Sequence, residues 1–316
     1  MTDFAGPQEH ADIAIVIVTY RNADDIPGLI ASLRADAGDL RLRVIVADNS
    51  PTDETRAAVE QHPDVICVAT GGNVGYAAGI NMAMAHAGAA ESIVVLNPDL
   101  VVEPGCLAAL RARQRQSGAG IVVPRILDDE GLTPSLRWEP SLLRMLGDAL
   151  FGGHLRGRPQ RLSEIVFSPD AYRTAHTADW ATGAALLIDA ETAAVVGAWD
   201  ERFFLYSEET DFFRRVRANG GTVWFEPTAT VHHRQGGSGS SIDLDRLQTV
   251  NRIRYARKHH PRMIATFYRG MVVLHELLRV ASPRHRAILR TVLSEKSWAR
   301  LPKAAWYPSA VSEEVA

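Results

Sequence analysis

Three carboxylates fall within four residues in Glu208-Glu209-Thr210-Asp211, just ahead of Phe212-Phe213 and an arginine-rich run. A positioned carboxylate can act as a general base, but acids in a first helical turn also stabilise the helix dipole, so both readings stand. Three-residue spacing puts Glu208 and Asp211 on one helix face and turns Glu209 about 100° away, so the three need not act together. Asp99, in Asn97-Pro98-Asp99, offers a hard oxygen ligand; magnesium often uses one or two protein carboxylates and completes its shell with water and substrate phosphates. His232-His233 adds imidazoles, of which an extended chain can aim only one at a given site. Asp48 can accept a hydrogen bond from a pyrimidine imide, or close an Asx turn ahead of a helix at Pro51.

Two glycine-rich segments suit a phosphorylated ligand. Gly71-Gly72-Asn73-Val74-Gly75 lacks the GxGxxG spacing of a dinucleotide fingerprint, yet its missing side chains permit close backbone approach. Gly236-Gly237-Ser238 offers backbone donors for phosphate oxygens, although a turn explains it as well.

These residues need a scaffold, and the first 125 residues predict one. Ile13 to Val18, Leu42 to Ala47, Val65 to Ala69, Ile93 to Leu96 and Ile121 to Val123 are short β-branched runs that read as interior strands. Helical spacing recurs in Asp24 to Ala35, Pro51 to Gln61, Tyr76 to Ala87 and Pro104 to Gln116, with starts at Thr52 and Glu103-Pro104. Such alternation means right-handed crossovers and a largely parallel sheet, with ligands outside the carboxyl ends of its strands. Four strands end there in polar residues: Thr19-Tyr20-Arg21-Asn22, Asp48-Asn49-Ser50 with Asp53, Gly71-Gly72-Asn73 with Gly75, and Asn97-Pro98-Asp99. From Leu127 to Thr177 the pattern is irregular around a helix near Leu142 to Leu150, as in a lid or partner-binding excursion. A strand at Ala185 to Ile188, a helix from Ser207 to Asn219, strands at Thr222 to Phe225 and Ala229 to His233, and helices after Asp243 follow.

Composition narrows the class. The chain has 316 residues, 46% hydrophobic and 22% charged, which excludes wholesale disorder, a small stapled module and a polytopic membrane protein. Cys67 and Cys106 form no ligand-spaced cluster, and the acidic, proline-bearing first dozen residues lack a secretory pattern, so a cytoplasmic location is expected. No lysine occurs in the first 250 residues, which argues against a nucleotidyltransferase with its lysine near the first strand.

Taken in order, TYRN, ADNSPTD, GGNVGYAAGIN, LNPD, TGAALLI, FFLYSEETDFFRRVRANG and PTATVHHRQGGS resemble the successive motifs of family 2 inverting glycosyltransferases, closest to the rhamnosyltransferase-like subgroup, over Ala11 to Ser241. The resemblance implies an α/β, GT-A type nucleotide-sugar-binding fold with a mainly parallel sheet plus carboxyl-terminal helices. It implies a catalytic domain over 1–241, nucleotide-binding in about 11–125 and acceptor-binding and catalytic in about 126–241. Glu209 stands at the catalytic base, where aspartate is commoner. Thr19, Tyr20, Arg21, Asp48, Asn73, Gly75, Tyr76, Asn97 and Asp99 fall on the nucleotide-sugar side, and Trp180, Gly183, Glu208 and Asp211 on the acceptor side. Asp99 and His233 would hold Mg2+ or Mn2+, with asparagine at position 97 where an acid is usual. The implied donor is dTDP-L-rhamnose, with a UDP-hexose as the alternative, and the acceptor a lipid-linked or polysaccharide component of a bacterial envelope; a non-catalytic binding protein is the reading from another class.

Net charge sums to -3, but it is unevenly spread. Arg246 to Lys303 holds 14 Arg or Lys and only Glu276 and Glu295 as acids, leaving 20 bases and 35 acids elsewhere. Ile264, Phe267, Met271, Leu274 and Leu278 recur at helical spacing, with Arg262, Arg269 and Glu276 on another face. Residues 242–316 are thus expected to form a basic amphipathic extension, either packed on the domain or held at an anionic cytoplasmic membrane face. No nucleic-acid-binding motif is present, so no nucleic-acid partner is expected.

Overall fold

A computed structural model describes residues 3–153, 155, 157–234 and 241–304. The elements are β1 (Ala11–Thr19), α1 (Ile26–Asp36), β2 (Leu42–Asp48), α2 (Glu54–Glu60), β3 (Ile66–Ala69), α3 (Tyr76–Met84), β4 (Ala90–Leu96), β5 (Leu100–Val102), α4 (Cys106–Ser117) and β6 (Ile121–Asp128). Then come β7 (Gly131–Leu132), β8 (Leu136–Arg137), α5 (Leu142–Phe151), β9 (His176–Thr177), β10 (Trp180–Ala181), β11 (Ala185–Asp189), α6 (Ala190–Val196), α7 (Glu208–Ala218), β12 (Val223–His233), α8 (Ile242–His259), α9 (Arg262–Leu277) and α10 (Pro283–Leu293).

The main sheet has the order β3-β2-β1-β4-β11-β6-β12-β5. Strands β3, β2, β1 and β4 are parallel, as the strand–helix alternation predicts. Along β1, Ile13, Ile15 and Ile17 enter one buried cluster while Ala14, Val16 and Val18 enter the other, so both faces are covered. Each such aliphatic side chain contributes about 1.5–3 kcal/mol by its burial.

Strand β11 lies antiparallel between β4 and β6, pairing Ala185 with Leu96 and Asp189 with Ser92. An antiparallel strand begins where its neighbour ends, so Gly183 and Ala184 arrive at the carboxyl edge of β4. Strand β5 is antiparallel to β12 and opposes Leu100 to His233, which sets Asp99 beside the end of β12. The two strands expected over 222–233 are one: β12 keeps going past Pro227 with a register shift between Glu226 and Thr230, where proline supplies no ladder donor. The start of α4 is capped from afar, since Asp36 at the end of α1 accepts from Leu107 N at 2.8 Å and from Gly105 N.

The irregular segment is packed. A Cβ on Gly147 of α5 would lie 2.1 Å from Leu162 O, and α5 lies along α9. The carboxyl-terminal helices share a buried cluster with Met145 and Phe204. Helix α9 corrects the expected amphipathic pattern: Ala265, Tyr268, Val272 and Glu276 face inward, while Phe267 and Leu278 are 55% and 56% exposed. Part of the basic charge is paired within the protein: Arg252 with Asp148 and Glu164, Lys258 with Asp200 and Asp211, and, nearer the surface, Arg257 and Arg269 with Glu295. No helix among the described residues is long and apolar enough to cross a membrane.

Candidate active site

The loops after β1, β2 and β3 are stitched together. Thr19 Oγ1 donates to Asp48 Oδ1 at 3.1 Å, and Ser50 N donates to the same oxygen at 2.9 Å, so Asp48 does form the Asx turn. Arg21 N donates to Ser50 Oγ at 2.8 Å with Arg21 in the left-handed region at φ 61°, and its guanidinium lies over the Tyr20 ring. Asn73 Oδ1 accepts from Gly75 N at 3.1 Å, and Asn49 Nδ2 donates to Gly75 O at 3.0 Å. Gly75 is required: its φ is 92°, and a Cβ there would lie 2.5 Å from the Phe204 ring.

Helix α3 links this edge to the acids. The Tyr76 hydroxyl donates to Asn97 Oδ1 at 3.0 Å and to Gly183 O at 3.3 Å, while Tyr76 N donates to Phe204 O at 2.6 Å. Burial together with the nearby carboxylates Glu208, Glu209 and Asp99 pushes the Tyr76 phenol well above its usual range, so it stays a neutral donor.

Asp99, just before β5, and His233, at the end of β12, meet at one end of the antiparallel β5–β12 pair, with Nε2 3.1 Å from Oδ1. His232 turns the other way and contacts Glu103 at 2.8 Å. The carboxylate and imidazole suit a hard divalent ion whose remaining positions go to water and phosphate oxygens. The three-ligand clusters among the described residues lie elsewhere, at His275-Glu276-His285 and His10-Asp12-Glu91. Gly236-Gly237-Ser238 lies outside the described residues.

Glu209 enters α7 from a strained approach, with Phe204, Tyr206 and Ser207 all at positive φ of 65°, 70° and 71°. Asn251 of α8 holds that approach: its Nδ2 donates to the carbonyls of Phe203, Leu205 and Tyr206 at 2.7, 2.9 and 2.9 Å. The Oε2 atoms of Glu208 and Glu209 are enclosed and lack a hydrogen-bond partner among the described residues. Burial raises both carboxyl pKa values above the ordinary range, and for Glu208 the neighbouring Glu209 raises it further. A Cβ on Gly183 would lie 3.2 Å from Glu209 Cβ, so glycine gives the Glu209 side chain its room.

Glu209 lines a cavity of about 780 Å3 with Trp180, Thr182, Arg137 and Tyr206. Trp180 also packs in the core, and its N–H is taken by Trp138 O at 2.9 Å. Asp211 corrects the expected acceptor side. Its side chain is fully buried against Arg215 at 2.8 Å, Lys258 at 2.6 Å and His259 at 2.7 Å, which ties α7 to α8 and leaves no oxygen for a ligand. Asn49, Asn251 and Arg137 were not singled out from sequence; each acts through a partner at least 26 residues away or through backbone carbonyls, and no local pattern marks them.

Residues 14–170 match the profile of glycosyl transferase family 2. The chain is 32% identical over 247 residues, 72% of its length and 78% of the relative's, to N-acetylglucosaminyl-diphospho-decaprenol L-rhamnosyltransferase of Mycobacterium tuberculosis. It is 30% identical over 211 residues, 65% of this chain and 62% of the relative, to a low-salt glycan biosynthesis hexosyltransferase of Haloferax volcanii. Among solved structures, GalNAc-T7 with UDP, GalNAc and Mn2+ aligns with TM-score 0.57 at 14% identity, over 84% of this chain and 55% of that one. A mannosyltransferase from Pyrobaculum calidifontis with GDP-Man and Mn2+ aligns with TM-score 0.53 at 16% identity, over 94% and 78%. The chain belongs to glycosyl transferase family 2 and has a GT-A-like fold.

Proposed function

From that membership, we propose that this glycosyltransferase moves L-rhamnose from dTDP-L-rhamnose to a hydroxyl of a lipid-linked or polysaccharide acceptor of a bacterial envelope, inverting the anomeric centre. The observation that carries the reaction is the buried carboxylate of Glu209, one oxygen of which has no hydrogen-bond partner among the described residues, on a residue that lines a large cavity. The donor and acceptor rest on the 32% identity to a relative named as an L-rhamnosyltransferase acting on a diphospho-decaprenol-linked sugar.

In this reading the Glu209 carboxylate takes the proton of the acceptor hydroxyl while the hydroxyl oxygen attacks the anomeric carbon, and the bond from that carbon to dTDP breaks on the opposite side. Burial makes the Glu209 carboxylate a stronger base than an exposed one. Thr19, Tyr20, Arg21, Asp48, Asn73, Gly75, Tyr76 and Asn97 form the nucleotide-sugar side. Trp180 and Gly183 belong to the acceptor side, with Glu208 buried beside Glu209. Asp99 and His233 would hold Mg2+ or Mn2+, which when bound offsets charge on the leaving diphosphate. Residues 1–241 act as the catalytic domain, and 242–316 complete its acceptor side at the cytoplasmic face of a membrane.

A thermal-shift panel of dTDP-L-rhamnose, UDP-glucose and GDP-mannose, each with and without Mn2+, tests the donor. Selective stabilisation by dTDP-L-rhamnose is expected; an equal or larger response to UDP-glucose would replace that assignment.

A further inference from the structure

The cavity that holds Glu209 does not end at the base. It extends between α5 and the carboxyl-terminal helices, where Arg279, Arg284, His285, Phe151 and Leu155 complete its wall. The carboxylates in that region are engaged: Asp148 and Glu164 with Arg252 at 3.0 and 2.8 Å, Asp245 with Arg284 at 2.5 Å, and Glu276 with His285 at 2.7 Å. Arg279 differs. Its guanidinium donates to the carbonyls of Ala149 at 2.8 Å, His275 at 3.0 Å and Asp148 at 3.3 Å, and no carboxylate is hydrogen-bonded to it among the described residues. A fixed guanidinium at a cavity wall without an acidic partner suits phosphate oxygens, which its planar donors match.

The surface around Arg279 is apolar. A Cβ on Gly152 would lie 3.4 Å from Arg279 Nη2, so the guanidinium sits at the end of α5. Leu150, Phe151 and Leu155, at and after that end, are 53%, 47% and 50% exposed, and Leu277, the last residue of α9, with Leu278 and Val280 just past it, are 49%, 56% and 43% exposed. Apolar side chains exposed together next to a cavity mark a binding surface more often than an accident of composition. Glu209, the cation Arg279 and the apolar Phe151 and Leu155 thus line one cavity.

We propose that this channel binds an acceptor of the prenyl diphosphate class, its sugar at Glu209, its diphosphate at Arg279 and its isoprenoid chain over Phe151, Leu155 and Leu278. The inference rests on the transferase reading above for the sugar, whereas the diphosphate and chain positions follow from the channel itself. The helices after residue 242 thereby read the acceptor.

Farnesyl diphosphate, a soluble member of the class, is the probe, with farnesol and inorganic diphosphate as its separated halves. By calorimetry the intact chain should bind farnesyl diphosphate at least tenfold more tightly than either half. Arg279→Gln should weaken this at least tenfold and Arg279→Lys less, while the Phe151→Ser/Leu155→Ser double variant should weaken farnesyl diphosphate but not inorganic diphosphate. All variants should still bind dTDP with Mn2+, which reports the fold and the donor side. If Arg279→Gln fails to fold, the lysine and double variants decide. Binding no tighter than inorganic diphosphate, binding unchanged in the variants, or full displacement by dTDP would overturn the proposal. So would variants that weaken sedimentation with phosphatidylglycerol vesicles while leaving farnesyl diphosphate binding intact, since the surface would then be a membrane face. Failure of the donor panel leaves this result standing, and failure here leaves the donor assignment standing.

Discussion

His233 Nε2 lies 3.1 Å from Asp99 Oδ1 although 134 residues separate them. The contact exists because β5 runs antiparallel to β12 and so brings the residue before one strand to the end of the other. Two weak sequence features, a single acid in Asn97-Pro98-Asp99 and one of two adjacent histidines, become a pair only through that register.

If the pair holds the divalent ion, Asp99→Asn and His233→Ala should each weaken the Mn2+-dependent part of dTDP binding, and turnover with it. Calorimetry with and without Mn2+ reads this directly. Metal-dependent binding equal to that of the parent chain in both variants would remove the assignment.

Glu209→Gln should retain donor binding and lose transfer by ~10²–10⁴-fold, the usual worth of a positioned base. A variant with full transfer activity would falsify the base assignment. Because burial raises the Glu209 pKa, the rate should rise with pH through an acid limb above the ordinary carboxylate range, and the pH dependence of kcat/KM checks it.

Asn251→Ala strands the Leu205 and Tyr206 carbonyls that its amide satisfies beneath the approach to α7, while Phe203 O keeps its bond from Leu205 N. A loss on the order of 2–4 kcal/mol is expected from buried groups left unpaired, measured by urea denaturation, with a fall in turnover as the Glu209 approach loosens.

Asp211→Asn separates packing from ligand binding. Removing one charge from a buried cluster with Arg215, Lys258 and His259 should cost about 3–5 kcal/mol. These partners hold the carboxyl pKa below its unfolded value, so the contribution is present above the unfolded pKa and is lost as pH falls through the folded one. The stability gap between parent and variant should therefore shrink in acid, while the acceptor KM of the folded variant stays unchanged. An acceptor KM that rises with no change in stability would restore Asp211 to the acceptor side.

Gly75→Ala should destabilise by roughly 2–4 kcal/mol, since it meets both a positive φ and the Phe204 ring and carbonyl. Thermal denaturation checks the loss, and a neutral result would mean that the α3 entry relaxes.

The sequence by itself determined the parallel half of the sheet, because β-branched runs alternating with helical stretches allow few other arrangements. It also determined which residues end up on the carboxyl edge, since Thr19, Asp48, Asn73, Gly75 and Asn97 each follow a strand. Only the tertiary structure decided what joins them. The antiparallel entry of β11 brings Gly183 to Tyr76 and Glu209, and the β5–β12 register selects His233 over His232. Asp211 looked equivalent to Glu208 by helical spacing, yet α8 supplies cations that neutralise it, whereas Glu208 and Glu209 face none within hydrogen-bond reach among the described residues. The basic tail likewise read as either packed on the domain or facing a membrane, and only tertiary packing pairs Arg252 and Lys258 with the buried carboxylates of Asp148 and Asp211. Local pattern fixes which face a residue takes; only packing fixes what stands opposite, and opposing groups decide whether a carboxylate is a base, a ligand or a tie between helices.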